Sequence, residues 1–155
     1  MIKKIFEYLN KENKTISFAE SCSGGYLALL ITKVPGASKV FKGSIVSYSR
    51  YSKESIIGIE TKEIDLFSPV SQEIALKMAQ NVREKFNSDF SIAVTGNAGP
   101  TSDGIKSSVG DCFIAISTKN EIFCEKYQII SSRENFIKKV TENSFQLFID
   151  KIINQ

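Results

Sequence analysis

An acid, three small hydroxyl or thiol side chains and two glycines follow an apolar run in the sequence SFAESCSGG, residues 17–25. If the apolar run is a strand and the residues after the glycines form a helix, Ser21 lies on a tight strand-to-helix turn. Backbone N–H groups at such a turn point outward, and the helix dipole favours negative charge there. The turn could therefore hold a phosphate or an oxyanion beside a nucleophile.

The same residues also fit a structural role. Ser21 or Ser23 would be a good helix N-cap, and Gly24 and Gly25 would then only allow close packing of the helix. Cys22 is a rival nucleophile because a helix N-terminus lowers the pKa of a thiol. No base for it is evident, and we expect its side chain to fill the core.

The sequence contains no histidine. This removes the usual general base, the usual partner of a catalytic serine or cysteine, and the commonest metal ligand. Hydrolytic chemistry would have to use lysine, tyrosine or a carboxylate, and SYSRYSKES supplies Tyr48 and Lys53. These two would share a site only if Tyr48 ends a strand and Lys53 lies in the first turns of the following short helix.

A lysine acts as a base near neutral pH only if its pKa falls by about three units from about 10.4, a bias of about 4 kcal/mol. Burial beside Ile56 and Ile57 would favour such a fall. The alternative for Lys53 is a solvated position on a helix face, where lysines are usually found.

A third segment, VTGNAGP, ends an apolar run with Thr95, Gly96 and Gly99. In open α/β sheets, ligands bind at the carboxyl ends of strands. The Gly-, Ser- and Thr-rich loop that follows is of the kind that positions functional groups over a rigid scaffold. Together, the three segments could place a hydroxyl nucleophile, a Lys/Tyr base and a ligand cradle at one edge of the sheet.

The hydrophobic periodicity predicts the elements that must position these residues. We predict helices at 2–12, 23–33, 50–57, 72–86 and 132–152, and strands at 16–19, 40–49, 88–96, 109–118 and 121–130. Ser71 is the predicted N-cap of the fourth helix, and residues 59–69 are predicted as a loop. This order indicates a three-layer α/β/α sandwich on a mixed sheet, as one domain over residues 1–155.

Composition limits the partners. Twenty Lys and Arg residues oppose 17 Asp and Glu, and the net charge of +3 is spread along the chain. We therefore expect no nucleic acid partner, whereas a small anionic ligand fits.

With three cysteines but no CxxC pair, no signal peptide and no long apolar span, we expect a cytoplasmic protein without a membrane partner. The sequence leaves the oligomeric state open, and a homo-oligomer is compatible with it.

Taken together and in order, AESCSGG, VPGASKVFKGSIVSYSRYSKESIIGI, PVSQEIALKMA and VTGNAGP followed by VG resemble the CinA C-terminal domain family. These are the nicotinamide-nucleotide amidases, also called PncC-like. The resemblance runs from about residue 10 to 155 with matching spacings. The ADP-ribose-processing N-terminal domain of longer CinA proteins has no counterpart in this sequence.

The resemblance implies that the protein deamidates nicotinamide mononucleotide to nicotinate mononucleotide and ammonia, without a metal or organic cofactor. By position it implies that Ser21 is the nucleophile, that Tyr48 and Lys53 are its partners, and that Thr95 lines the site. Lys53, directly or through Tyr48, would take the Ser21 proton. The N–H groups of residues such as Cys22 and Ser23 would hold the oxyanion.

The resemblance leaves the phosphate partners open. The candidates are Gly24, Gly25, Lys42, Arg50 and the loop after Gly99.

The sequence departs from the family pattern chiefly in the loop 101–108. The departing residues are Ser23, Arg50, Asn97, Ser102, Asp103, Ser107 and Ser108, with Lys106 as a replacement for a displaced lysine. An alternative function is a non-catalytic nucleotide-binding module, motivated by this loop, and a third is a structural oligomerisation domain.

Overall fold

A computed structural model describes residues 1–102 and 106–155, which fold around a five-stranded mixed sheet. The strands are β1 Ile16–Glu20, β2 Phe41–Val46, β3 Phe90–Gly96, β4 Asp111–Ser117 and β5 Ile122–Gln128. Their spatial order is β2-β1-β3-β4-β5. Strand β1, between β2 and β3, is parallel to both, whereas β4 and β5 continue the sheet as antiparallel strands.

Six α-helices lie among the described residues. They are α1 Ile2–Lys11, α2 Tyr26–Thr32, α3 Arg50–Ser52, α4 Thr61–Phe67, α5 Gln72–Phe86 and α6 Arg133–Phe148. A 3₁₀ turn covers Ala37–Lys39, and α3 and α6 continue as π-helical turns over Lys53–Ile57 and Ile149–Ile153.

Alternation along the strands divides the core into two layers. One face of the sheet carries large side chains such as Phe18 and Ile92, which pack against α1, α2 and α6. The other face carries small ones such as Ala19 and Ala93, against which α4 and α5 pack. Because these side chains are small, α5 lies close to the sheet, and Ser91 Oγ donates to a carbonyl of α5 at 2.6 Å. The predicted three-layer α/β/α sandwich on a mixed sheet is confirmed.

The prediction of a loop at residues 59–69 is wrong, because α4 occupies most of it. Glu60 and Glu63 form a reciprocal capping box at the start of α4, and Ile64 is buried below it. A capping box stabilises a helix that is too short to show a clear apolar period.

Helix α2 begins at residue 26 rather than at 23 as predicted. Gly24 and Gly25 have φ values of +61° and +98°, which lie in the left-handed region and cannot continue into a right-handed helix. The residues after Ser21 therefore form a turn.

Other local predictions are confirmed. Ser71 caps α5 by accepting from the N–H of Ile74 at 3.3 Å. Gly58, at φ +85°, ends the helical turn Lys53–Ile57. The N–H of Thr118 donates to the carbonyl of Glu121 at 2.8 Å and closes the predicted hairpin between β4 and β5. Each helix in the described residues is too short or too polar to cross a bilayer.

Candidate active site

The parallel strands bring the three chemically interesting segments to one edge of the sheet. β1 ends one residue before Ser21, and its neighbour β3 ends at Gly96. β2, on the other side of β1, ends shortly before Tyr48 and leads into the helical segment that carries Lys53. The carboxyl ends of adjacent parallel strands meet at the same edge, as expected for ligand sites in open α/β sheets.

A pocket of about 210 Å³ lies at this edge. Its wall includes Ser21, Tyr48, Lys53, Thr95, Gly96 and Arg133. Cys22 and Ser102 also line it, and no Asp or Glu among the described residues does so. The described part of the wall is therefore rich in hydroxyl groups and positive charge, which suits an anionic ligand.

Ser21 and Lys53 are in direct contact at the pocket. Lys53 Nζ donates to Ser21 Oγ at 2.9 Å and to the carbonyl oxygen of Ser47 at 2.8 Å. Lys53 is only 3% exposed and Ser21 only 7%, so the lysine does not lie on a solvated helix face. Of the two isoleucines expected to help bury it, Ile57 is buried but Ile56 is 47% exposed.

Local structure explains why Lys53 points inward. Ser49 Oγ accepts from the N–H of Ser52, which starts α3 with a tight cap two residues after the buried Ser47. The chain then widens into a π-helical turn at Lys53, a feature often found at functional sites. The strand and the helical turn together hold the amine against Ser21.

Arg133 is a pocket residue that the sequence analysis missed. Its guanidinium donates to the hydroxyl oxygen of Tyr48 at 3.1 Å and to the carbonyl oxygen of Gly99 at 2.6 Å. It is the first residue of α6, after the N-cap Ser132. A cation is disfavoured at that position by the helix dipole, and this was the one signal in the sequence that could have drawn attention to it.

The carboxylate of Glu20 occupies the N-terminus of α2 and is fully buried. Its donors are Ser23 Oγ and Ser44 Oγ, each at 2.9 Å, and the N–H groups of Leu27 and Ala28, each at 3.0 Å. The positive end of this short helix is thus neutralised by the protein's own side chain.

The structure does not bring Ser23, Gly24 or Gly25 to the pocket wall. The α2 N-terminus, where Gly24 and Gly25 were candidates for binding a phosphate, faces Glu20 instead. Gly25 packs near the side chain of Val46, and a Cβ at Gly24 would meet no atom within 4 Å.

Cys22 lines the pocket, but its thiol is buried, and burial raises the pKa of that thiol well above its ordinary value. The N–H groups of Cys22 and Ser23 donate to no oxygen atom in residues 1–102 or 106–155. Of these two residues, only Cys22 lines the pocket.

Three other predicted residues lie at or beside the pocket: Thr95 and Gly96 line it, and Gly99 follows the lining residue Ala98. Thr95 is fully buried and donates to the carbonyl oxygen of Pro69 at 2.8 Å. A Cβ at Gly96 would lie 2.6 Å from the Cβ of Cys112, so only glycine fits there. Gly99 contributes its carbonyl oxygen to Arg133.

The remaining basic candidates lie elsewhere. Arg50 forms ion pairs with Glu54 at 2.7 Å and Asp65 at 2.6 Å, outside the pocket. Lys42 is exposed on β2, and Lys106 donates to the carbonyl oxygen of Leu66.

The loop that departs from the family pattern is anchored to the pocket wall by Asn97. This side chain is 3% exposed and donates to Ser107 Oγ at 2.8 Å and to the carbonyl oxygen of Ser108 at 3.2 Å. Asp103, the other departure singled out in this loop, lies outside the described residues. Over the described ranges, no group of three His, Cys, Asp or Glu side chains could hold a metal ion.

Solved structures share this architecture. The competence damage-inducible protein A (ComA) of Klebsiella pneumoniae superposes with a TM-score of 0.95 at 19% identity, covering 98% of this chain and 94% of that one. The competence/damage inducible protein CihA of Agrobacterium tumefaciens gives 0.93 at 26% identity, covering 99% and 93%. The first of these likenesses concerns the fold alone.

Sequence relatives are closer. A CinA-like protein of Flavobacterium psychrophilum is 42% identical over 94% of this chain and 35% of its own length. One of Fervidobacterium nodosum is 40% identical over 96% and 36%. The chain thus spans about a third of the length of these curated relatives. The family model of the CinA C-terminal domain matches residues 1–152, which confirms the resemblance seen in the motifs. The chain belongs to the CinA C-terminal domain family.

Proposed function

We propose that this domain is an amidohydrolase that converts nicotinamide mononucleotide to nicotinate mononucleotide and ammonia. The observation that carries the proposal is the buried 2.9 Å contact between Lys53 Nζ and Ser21 Oγ at a pocket, in a chain without histidine. The choice of substrate rests on the family resemblance and on the positive charge of the pocket wall.

In the acylation step, Lys53 in its neutral form takes the proton of Ser21, and Ser21 Oγ attacks the carboxamide carbon. The N–H group of Cys22, which lines the pocket, stabilises the oxyanion of the tetrahedral intermediate. The direct contact of Lys53 with Ser21 favours proton transfer without a relay through Tyr48, whose hydroxyl is bonded to Arg133.

Collapse of the intermediate breaks the C–N bond. Lys53 returns its proton to the leaving nitrogen, ammonia departs, and the nicotinoyl group stays on Ser21 as an ester. Water then attacks the ester with Lys53 as base, releasing nicotinate mononucleotide and restoring the serine. No step requires a metal or an organic cofactor.

Arg133 is the partner that we assign to the substrate phosphate. It lines the pocket, and none of the carboxylates in the described part of the chain forms an ion pair with it. A guanidinium offers paired donors that match phosphate oxygens. The earlier candidates Gly24, Gly25 and Arg50 lie outside the pocket wall.

The test is ammonia release from nicotinamide mononucleotide in a coupled assay, with Ser21→Ala and Lys53→Met. Each variant removes one half of the buried pair, so each should lower kcat on the order of 10³-fold or more while the protein stays folded. Lys42→Met is the matched control, because Lys42 is exposed outside the pocket, and it should keep wild-type turnover. Full activity in both site variants would refute the mechanism.

A nucleotide-binding module without catalysis is the second candidate. It is favoured by Ser102, which lines the pocket at a position where the family usually has glycine. In that case nicotinamide mononucleotide would raise the melting temperature of the wild-type protein and would never be consumed. If the nucleotide has no effect at all, the chain is a structural oligomerisation domain instead.

A further inference from the structure

We propose that Glu20 is a positioning residue of the reaction, an inference that rests on the proposed function. Its carboxylate fixes the turn 21–25 so that Ser21 faces Lys53 and the N–H group of Cys22 faces the substrate. Glu20 touches neither the substrate nor the reacting atoms.

The carboxylate ties together three separate parts of the chain. One oxygen accepts from Ser23 Oγ in the turn and from the N–H of Leu27 in α2. The other accepts from the N–H of Ala28 in α2 and from Ser44 Oγ on β2. Each oxygen therefore has two donors, and the turn is bound to a helix and a strand at once.

The turn needs such an anchor. Gly24 and Gly25 have no side chains to hold it, and the space around Gly24 is open. Glycine also has the largest conformational freedom of any residue, so an unanchored turn would sample many positions of its N–H groups. The bond from Ser23 Oγ to Glu20 restricts it on the side next to Ser21.

The backbone of Glu20 reaches the other half of the catalytic pair. Its carbonyl oxygen accepts from the N–H of Ser47 at 2.8 Å, and the carbonyl oxygen of Ser47 accepts from Lys53 Nζ. The side chain of Glu20 thus positions the turn that carries Ser21, and its backbone positions Ser47, whose carbonyl oxygen binds Lys53.

Capping alone does not explain a buried carboxylate. Burying a charge is costly, and no Lys or Arg in residues 1–102 or 106–155 forms an ion pair with Glu20. A serine or aspartate at the N-cap would satisfy the first N–H groups of α2 at lower cost. The longer side chain is needed because it binds the turn and β2 as well as the helix.

The test compares Glu20→Gln with Ser23→Ala, which removes only the bond to the turn. Both should lower kcat for nicotinamide mononucleotide on the order of 10- to 100-fold, because a nucleophile or oxyanion donor misplaced by about 1 Å loses that much. KM should change little, since substrate binding does not involve Glu20. Should the glutamine variant not fold, Ser23→Ala carries the test alone.

Asp89→Asn is the control for a purely structural effect. Asp89 accepts from the N–H of Thr15 at 2.9 Å, next to the opposite end of β1, so the variant should lower the melting temperature and keep the wild-type kcat. If folded Glu20→Gln and Ser23→Ala both keep the wild-type kcat, the positioning role of Glu20 is overturned and the proposed function still stands. Absence of turnover in the wild type would instead overturn the proposed function, and the role of Glu20 with it.

Discussion

At the scale of single residues, the site poses a choice between two adjacent nucleophiles. Ser21 Oγ is 2.9 Å from Lys53 Nζ, whereas the thiol of Cys22 belongs to the apolar core. Burial raises the pKa of the Cys22 thiol, and the nearby charge of Lys53 lowers it by less. The thiol is therefore protonated at neutral pH, and a protonated thiol is a poor nucleophile.

We predict that Cys22→Ala keeps kcat within about threefold of the wild type, because the variant leaves the backbone N–H at residue 22 in place. Because the Cys22 thiol is buried and protonated, iodoacetamide at pH 8 should not inactivate the wild-type protein. Initial rates of ammonia release, with mass spectrometry of the alkylated protein, check both points. Rapid alkylation of Cys22 with a parallel loss of activity would contradict the assignment of Ser21.

The residues that the sequence identified are those whose chemistry is local. Ser21, Tyr48 and Lys53 were assigned by position from the motifs that resemble the family, in agreement with the absence of histidine, and all three line the pocket. Arg133 was missed because 80 residues separate it from Lys53, and only the packing of α6 brings it to the pocket. The hydrogen bonds of Glu20 to the N-terminus of α2 could not be predicted either, since an acid before a turn has many possible partners.

At the scale of elements, prediction succeeded where burial imposes a period. α5 and α6 each bury a regular apolar stripe, and both were predicted within a few residues. α4 buries only Ile64 and depends on a capping box, which carries no period. The predicted start of α2 was too early because the sequence does not show that its two preceding glycines adopt positive φ angles.

Asp111, the first residue of β4, shows how an element is joined to the pocket loop. Its carboxylate accepts from the N–H of Ser108 and from Lys126 Nζ, each at 3.0 Å. Burial alone would raise the pKa of Asp111, but the Ser108 N–H and the Lys126 ammonium outweigh burial and hold the pKa below its usual range. A depressed pKa in the folded state stabilises the fold above the unfolded pKa and stops doing so as pH falls through the folded value.

We therefore predict that Asp111→Asn lowers the free energy of unfolding by about 1–2 kcal/mol between pH 5 and 7, as expected for hydrogen bonds to a buried charge. The difference from the wild type should shrink as pH falls below about 4, because the wild-type carboxylate then becomes protonated. Urea unfolding across this range measures it. Glu7→Gln, which removes an exposed ion pair, should have almost no effect at any of these pH values. If the difference in the free energy of unfolding between the wild type and Asp111→Asn grows toward low pH, Asp111 is not held as a carboxylate.

At the scale of the whole molecule, the net charge of +3 is too small and too dispersed to guide a ligand by itself. The charge that matters is the local positive excess at the pocket, which the Arg133 guanidinium supplies on a wall without an Asp or Glu among the described residues. Such an excess acts mainly on the association of an anionic substrate. Salt should therefore affect binding and leave the chemical step unchanged.

We predict that raising the salt concentration from about 0.05 to 0.5 M increases KM for nicotinamide mononucleotide several-fold and leaves kcat within about twofold, since screening shortens the reach of the pocket charge. Nicotinamide riboside, which lacks the phosphate, should show a smaller salt dependence if it is turned over. Arg133→Met should raise KM for the mononucleotide and flatten its dependence on salt, whereas Lys42→Met should change neither. If Arg133→Met keeps both the KM and the salt dependence of the wild type, the phosphate binds elsewhere, and the pocket charge of Arg133 serves only to hold Tyr48 and Gly99.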